Sequence, residues 1–277
     1  MDIRNMRVAL AAAYEPGSLA LADEIEDCGI EEVFQKIPSE KSIDIERVYQ
    51  TLDEIGATVL IPEDALWPSC LNHLAAPPVA LFVKGDVEIL SMQSLAIVGT
   101  RNPTQYGLRI AQEFAAGFVD RNWGIVSGGA YGIDSAAHKG ALIAEGLTIA
   151  VTASGLDRPY PAGNQLLFDE IAENGALISE YLPGVTPRPH RFLIRNRLIA
   201  ALSQGTLVVE AAFRSGSLRT ARDAAELARP VMAIPGPINA PTSDGCHRLI
   251  GERSAELVTS VPDCYEFLNL LVSQVGK

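Results

Sequence analysis

Hydrophobic positions recur at two different spacings along the chain. Up to about Pro68 they come at helical spacing in short stretches, Val8 to Ala13, Leu19 to Asp27, Ile30 to Gln35 and Ile43 to Ile55. Turn signals at Pro16-Gly17, Gly29 and Pro38-Ser39 separate them. This pattern predicts a small helical N-terminal domain over residues 1–68. The lead-in that follows Gly56 carries two strand-like runs, Thr58 to Ile61 and Val79 to Val83, around a proline-rich loop. Beyond it, short apolar runs of the buried-strand kind alternate with amphipathic stretches. The runs are Leu95 to Val98, Gly124 to Val126, Leu147 to Val151, Ala176 to Ser179, Thr206 to Val209 and Val231 to Ile234. Helices are predicted from Tyr106 to Val119, from Ile133, over Asn164 to Glu173, Arg191 to Leu202 and Leu218 to Ala228, and in the C-terminal stretch Asp244 to Lys277. Such alternation predicts an α/β fold, a doubly wound and mainly parallel sheet over residues 69–277.

Two turns in the centre of this pattern invite a ligand. The first strand breaks at Gly99, with Thr100 and Arg101 directly after it. The second runs into Ser127, Gly128 and Gly129, and after Ala130, Tyr131 and Gly132 a helix starts at Ile133. Ligands of open α/β sheets bind at the carboxyl ends of the strands, where these turns open. Glycine lets the backbone approach closely, and N–H groups at a helix start point outward with the positive end of the helix dipole. The turns therefore suit phosphate, with Arg101 beside them. The plainer alternative is that the glycines only shape tight turns.

Charge sharpens this picture. The formal net charge is −12, but residues 1–90 hold 17 acids against 6 bases, a net of −11, and the rest is nearly balanced. Between Thr186 and Arg222 seven arginines, Arg188, Arg191, Arg195, Arg197, Arg214, Arg219 and Arg222, face the single acid Glu210. A local excess of this size on an acidic protein is a footprint for a polyanion. The alternative is that these arginines lie on solvated faces or pair with the acidic front domain. The four cysteines, Cys28, Cys70, Cys246 and Cys264, are widely spaced, so neither a zinc site nor a disulfide framework is expected. No metal or cofactor is expected either. The chain holds no apolar run of membrane-spanning length, and its start has only a short apolar stretch, so it reads as cytoplasmic with no membrane partner.

Catalytic readings find little support. A nicotinamide enzyme needs G-x-G-x-x-G, where this chain has Gly99-Thr100-Arg101, and an acid after the second strand, where it has Ser127-Gly128. A serine hydrolase needs G-x-S-x-G, which does not occur. Asp134 and His138, four apart on one helix, could orient an imidazole for base work, but read better as a structural pair in which His138 bonds to Asp134.

The succession GTRNPTQYG, SGGAYGIDSAAHKGAL, GLDRPYP, ISEYLPG, FLIRNRLIAALS, VVEAAFRSGSLRTARDAAELARPVMAIPG and GCHRLI resembles the DNA-processing protein A family, also called Smf, over about Leu60 to Val258. The resemblance implies an extended Rossmann-like domain that binds and protects single-stranded DNA and loads a RecA-type recombinase during natural transformation, without catalysis. It further implies that Arg101 contacts DNA and that the chain forms a homodimer through the region of His247, Leu249, Ile250 and Leu257. Tyr131 stands where the family often has a basic residue, and could stack on a base instead. Arg253-Ser254 replaces the family's Gly-Ala pair, and the chain is expected to lack the winged-helix tail of some members. The candidate DNA-binding residues are Gly99, Thr100, Arg101, Ser127, Gly128, Gly129, Tyr131, Tyr160, Arg195, Arg197, Ser215 and Gly216. A nucleotide-binding or nucleotide-cleaving enzyme of the phosphoribohydrolase kind is the alternative. Its PGGxGTxxE signature lacks the paired glycines in Gly205-Thr206-Leu207-Val208-Val209-Glu210.

Overall fold

The computed structural model describes residues 2–275, with side chains described as far as Leu270. Four helices come first: α1 (Ile3–Ala13), α2 (Leu19–Cys28), α3 (Ile30–Gln35) and α4 (Ile45–Ile55). The side chains of Asp2, Ser18 and Asp44 cap α1, α2 and α4 by accepting the N–H groups of Asn5, Leu21 and Arg47. Gly56, at φ +67, ends α4 in the left-handed conformation. The strands β1 (Ala57–Leu60) and β2 (Leu81–Gly85) follow. Alternation then sets in with β3 (Ser94–Val98), α5 (Gln105–Val119), β4 (Gly124–Ser127), α6 (Ile133–Ile143), β5 (Thr148–Val151), α7 (Gln165–Asn174) and β6 (Ala176–Ser179). It continues through α8 (Pro189–Leu202), β7 (Gly205–Val208), α9 (Ser217–Glu226) and β8 (Val231–Ala233) to α10 (Asp244–Gly251), β9 (Glu256–Leu257) and α11 (Val261–Val275).

All nine strands of these residues form one sheet in the order β1-β2-β6-β5-β4-β3-β7-β8-β9. From β6 to β9 neighbours are parallel, and β2 joins antiparallel to both β6 and β1. This is the predicted doubly wound, mainly parallel, Rossmann-like architecture. Period-2 alternation sends successive residues of each strand to opposite faces. On β3, Leu95 and Ile97 pack with Phe114 and Phe118 of α5, while Ala96 and Val98 pack with Leu198, Ile199 and Leu202 of α8. Helices thus cover both faces, as a parallel sheet requires.

β1 precedes residue 68 yet is the edge strand of the sheet, so the sheet begins before the boundary read from sequence. The helical front packs on that end through Val8, Leu52, Phe82 and Phe168. Ion pairs add to the packing: Arg7 with Glu63 at 2.6 Å, and Glu15 with Arg191 of α8 at 2.8 Å.

At the opposite edge, the four residues expected at a subunit contact separate. Leu249 is buried among core residues and is not a surface position, because α10 turns it toward β8 and α9. The His247 Nε2 atom sits 2.9 Å from the Gly236 carbonyl, and Ile250 is partly buried. Leu257, on β9, is exposed. No helix among the described residues is long and apolar enough to cross a membrane.

Candidate nucleic-acid interface

Strand order decides where the main cleft lies. From β3 the chain winds outward through β4, β5 and β6, then crosses back to place β7 on the other flank of β3. A crevice opens at the carboxyl ends of strands whose connections diverge in this way. Here it is a cleft of about 750 Å³ lined by Gly99, Thr100 and Arg101 after β3 and by Arg214, Ser215, Gly216 and Ser217 after β7. Tyr160, from the loop after β5, and Arg188, Phe192, Arg195 and Asn196, in and just before α8, also line it, as do Ala130 in the turn after β4 and Asp134 in the first turn of α6.

The turn after β3 is pinned from both sides. Thr100 donates its N–H to the Glu210 carbonyl at 2.6 Å, and its own carbonyl accepts the Ile133 N–H at 3.2 Å. Gly132, at φ +84, lets the second turn approach; a side chain there would strike the backbone of Thr100 and Arg101. So held, the exposed Arg101 lays its guanidinium over the ring of Phe192, 5.1 Å from the centroid. Phe192 in turn meets Tyr160 edge to face, with centroids 5.7 Å apart. Phe192 and Arg195 are three apart on α8, which puts them on one helix face.

Arg195 is only 4% exposed. Its Nη1 donates to the Val151 carbonyl at 2.6 Å. Burial pushes the guanidinium down to about 10, with the nearby Asp134 carboxylate opposing the shift, so the group stays charged at neutral pH. Glu210, the one acid in the arginine-rich stretch, faces away from the cleft. Its carboxylate accepts the Thr104 N–H at 2.9 Å and the Thr104 hydroxyl at 2.6 Å, where Thr104 caps α5.

Gly99, Thr100, Arg101, Tyr160, Arg195, Ser215 and Gly216 come together in this cleft, while Ser127, Gly128, Gly129, Tyr131 and Arg197 do not line it. Two N–H groups of the turn after β4, which its sequence offered to a ligand, are engaged within the protein. Asp134, in the first turn of α6, accepts those of Gly128 at 3.2 Å and Ala130 at 3.4 Å, so the protein's own carboxylate holds them. Burial raises the Asp134 carboxyl, opposed by Arg195 and by these two N–H groups. Ser127 is buried and donates its hydroxyl to the Ile97 carbonyl at 2.6 Å, and Gly129, at φ +67, is packed beside Phe168. Tyr131 is exposed next to Gly163, and Arg197 pairs with the buried Glu180 at 2.5 Å. The expected bond between His138 and Asp134 is also absent: His138 Nδ1 lies 2.7 Å from the Thr148 hydroxyl.

Neither Asp134 nor Glu180 ion-pairs with Arg101, and among the described residues Arg191 alone of the seven clustered arginines pairs with the acidic front. Phe192, Arg188 and Arg214 are cleft residues that the sequence reading did not place there. Among the described residues, no group of three or more His, Cys, Asp or Glu side chains could hold a metal ion.

Comparison with known proteins agrees with this fold. A Mycobacterium tuberculosis protein bearing the name DNA processing protein DprA is 44% identical over 234 residues, which is 80% of this chain but only 60% of that protein. The chain thus spans less than two thirds of that relative. The DNA processing protein DprA of Bacillus subtilis is 37% identical over 240 residues, 86% of this chain and 78% of its own. Among solved structures, DNA processing protein A from Streptococcus pneumoniae superposes with a TM-score of 0.81 at 35% identity, covering 96% of this chain and 98% of its own. Its counterpart from Helicobacter pylori, solved for its single-stranded DNA binding mode, gives 0.70 at 33% identity over 79% of this chain and 96% of its own. The sequence model of the DNA recombination-mediator protein A family matches residues 58–269, and the chain belongs to that family.

Proposed function

We propose that the chain binds single-stranded DNA in the cleft between β3 and β7, without catalysis, and passes the bound strand to a RecA-type recombinase in the cytoplasm. The observation that carries this reading is the pairing of Arg101, Arg188, Arg195 and Arg214 with the aromatic pair Tyr160 and Phe192 in one cleft. A binder without sequence preference needs cations for phosphates and aromatic faces for unpaired bases, and these residues supply both. The H. pylori relative's single-stranded DNA binding mode supports the ligand, and the recombination-mediator name of the family supports the hand-over. The subunits of a homodimer would meet at the β9 edge, around Leu257.

A titration of fluorescent oligonucleotides, single-stranded and duplex, at several salt concentrations tests the reading. Single strands should bind more tightly, and log affinity should fall linearly with log salt as phosphate contacts release counterions. Equal affinity for both forms, or a flat salt response, would count against it, and release of free base from a nucleoside monophosphate would move the reading to an enzyme.

A further inference from the structure

A second groove adjoins the cleft. It encloses about 390 Å³ and shares Leu193, Arg214, Ser215 and Gly216 with the cleft, so the two are continuous over that rim. Its far side is formed by Phe213, Arg219 and Arg222 on and before α9 and by Arg248 on α10. No carboxylate lines it. We propose that this groove is a second subsite for single-stranded DNA, in which a strand leaving the cleft across Arg214 stacks a base on Phe213 and places phosphates near Arg222 and Arg248. The inference rests on the reading of the cleft as a single-strand site.

Two independent features carry it. Phe213 is 53% exposed, with its aromatic ring on the loop between β7 and α9. The Arg248 guanidinium sits 4.8 Å from the centre of its ring, holding the ring in place and supplying charge beside it. The second feature is charge. Arg214 and Arg222 have no carboxylate partner among the described residues, whereas Arg219 spends its guanidinium on Asp223 and Arg248 also pairs with Glu252. The groove therefore offers two free cations and one stacking face, next to a cleft that also brings arginines and aromatic rings together. Duplex DNA would keep its bases stacked away from Phe213, so the occupant is a single strand.

The test compares oligonucleotides of about 5 and about 16 nucleotides, lengths at the two ends of single-strand site sizes. Phe213→Ala and Arg222→Ala alter exposed residues outside the cleft. Phe213→Ala should leave the short oligonucleotide unaffected and weaken the long one by roughly 5- to 160-fold, the range for loss of one base stack. Arg222→Ala should reduce the salt slope by about 1 for the long oligonucleotide alone. Unchanged binding of the long strand would overturn the subsite, as would equal weakening at both lengths. Conversion of a dimer to monomers by Phe213→Ala would also overturn it and make the groove a subunit contact. Wild-type protein that binds neither length defeats the cleft reading itself, a result distinct from all of these.

Discussion

The Arg101 guanidinium lies over the Phe192 ring at 5.1 Å, so the third residue after β3 and the cleft-lining face of α8 form one surface. A cation stacked on an aromatic ring keeps its outward N–H groups free for a phosphate while the ring edge remains open to a base. Arg101→Ala should weaken single-stranded DNA binding by roughly 1 to 3 kcal/mol, the range for a charge-assisted contact, and leave the melting temperature unchanged. Arg101→Lys should restore part of the loss, because a point charge cannot stack as the planar guanidinium does. Titration and thermal melting of the same samples decide the matter. Normal binding with a lower melting temperature would make Arg101 a strut.

Gly128, outside the cleft, offers a separate lever on it through Arg195. A Cβ at this position would collide with the Arg195 guanidinium, which donates to the Val151 carbonyl. Gly128→Ala should therefore displace Arg195 and strain the Asp134 contact to the β4 turn, costing about 1 to 3 kcal/mol of stability as overpacking does. Binding should weaken as well, since Arg195 lines the cleft. Urea denaturation and oligonucleotide titration would read the two effects, and a variant as stable as wild type would show that Arg195 can relocate freely.

Much of this arrangement was legible in the residues, for a physical reason. Strands buried on both faces read as unbroken apolar runs, and β3 to β8 were placed within a residue or two of their observed ends. Strand order was not legible, because it depends on long-range pairing. It set the cleft chiefly between the β3 and β7 turns, with Ala130 of the β4 turn also in its lining. The β4 turn misled for a related reason: it does hold a carboxyl group, through the Gly128 and Ala130 N–H groups, but that group is the protein's own Asp134. Phe192 went unnoticed because an apolar residue on a helix reads as core. The usable signal was its three-residue offset from Arg195, which places the pair on one face. Likewise, β1 joined the sheet through antiparallel pairing with β2, which no local pattern announces.

Leu257 tests the dimer. Among the described residues β9 hydrogen-bonds to β8 on one side only, and such an edge with an exposed leucine is a template for another chain. Leu257 is 42% exposed there, whereas Leu249 contributes to the core instead. Light scattering at about tens of micromolar should show a dimer for the wild type and a monomer for Leu257→Glu, since an isologous contact doubles the cost of each charge it buries. Leu249→Glu should instead unfold the protein. A wild-type monomer under these conditions would remove the dimer from the reading.

His138 sets a pH limit on stability that is independent of DNA. Its ring is fully buried, and Nδ1 is 2.7 Å from the Thr148 hydroxyl. That hydroxyl already donates its hydrogen to the Ile125 carbonyl at 2.9 Å, so Nδ1 must carry the proton and Nε2 is left bare, with no hydrogen-bond partner. Protonating Nε2 would bury an unpaired cation. Burial, reinforced by the nearby Arg195 charge, accordingly lowers the imidazole from 6.5 to about 3. The unfolded chain takes up a proton near 6.5 and the folded chain does not, so unfolding consumes a proton between those values. The contribution of His138 is therefore complete above pH 6.5 and is lost progressively as pH falls toward 3, on the order of a few kcal/mol in all. His138→Asn, which keeps a donor for Thr148 but cannot titrate, should be less stable at pH 7 because it leaves a void. Its stability should also fall less steeply than that of the wild type between pH 6.5 and about 4.5, above the range in which most carboxylates titrate. Urea midpoints measured across this interval give both curves, and parallel curves would mean that His138 is hydrated or already charged in the folded protein.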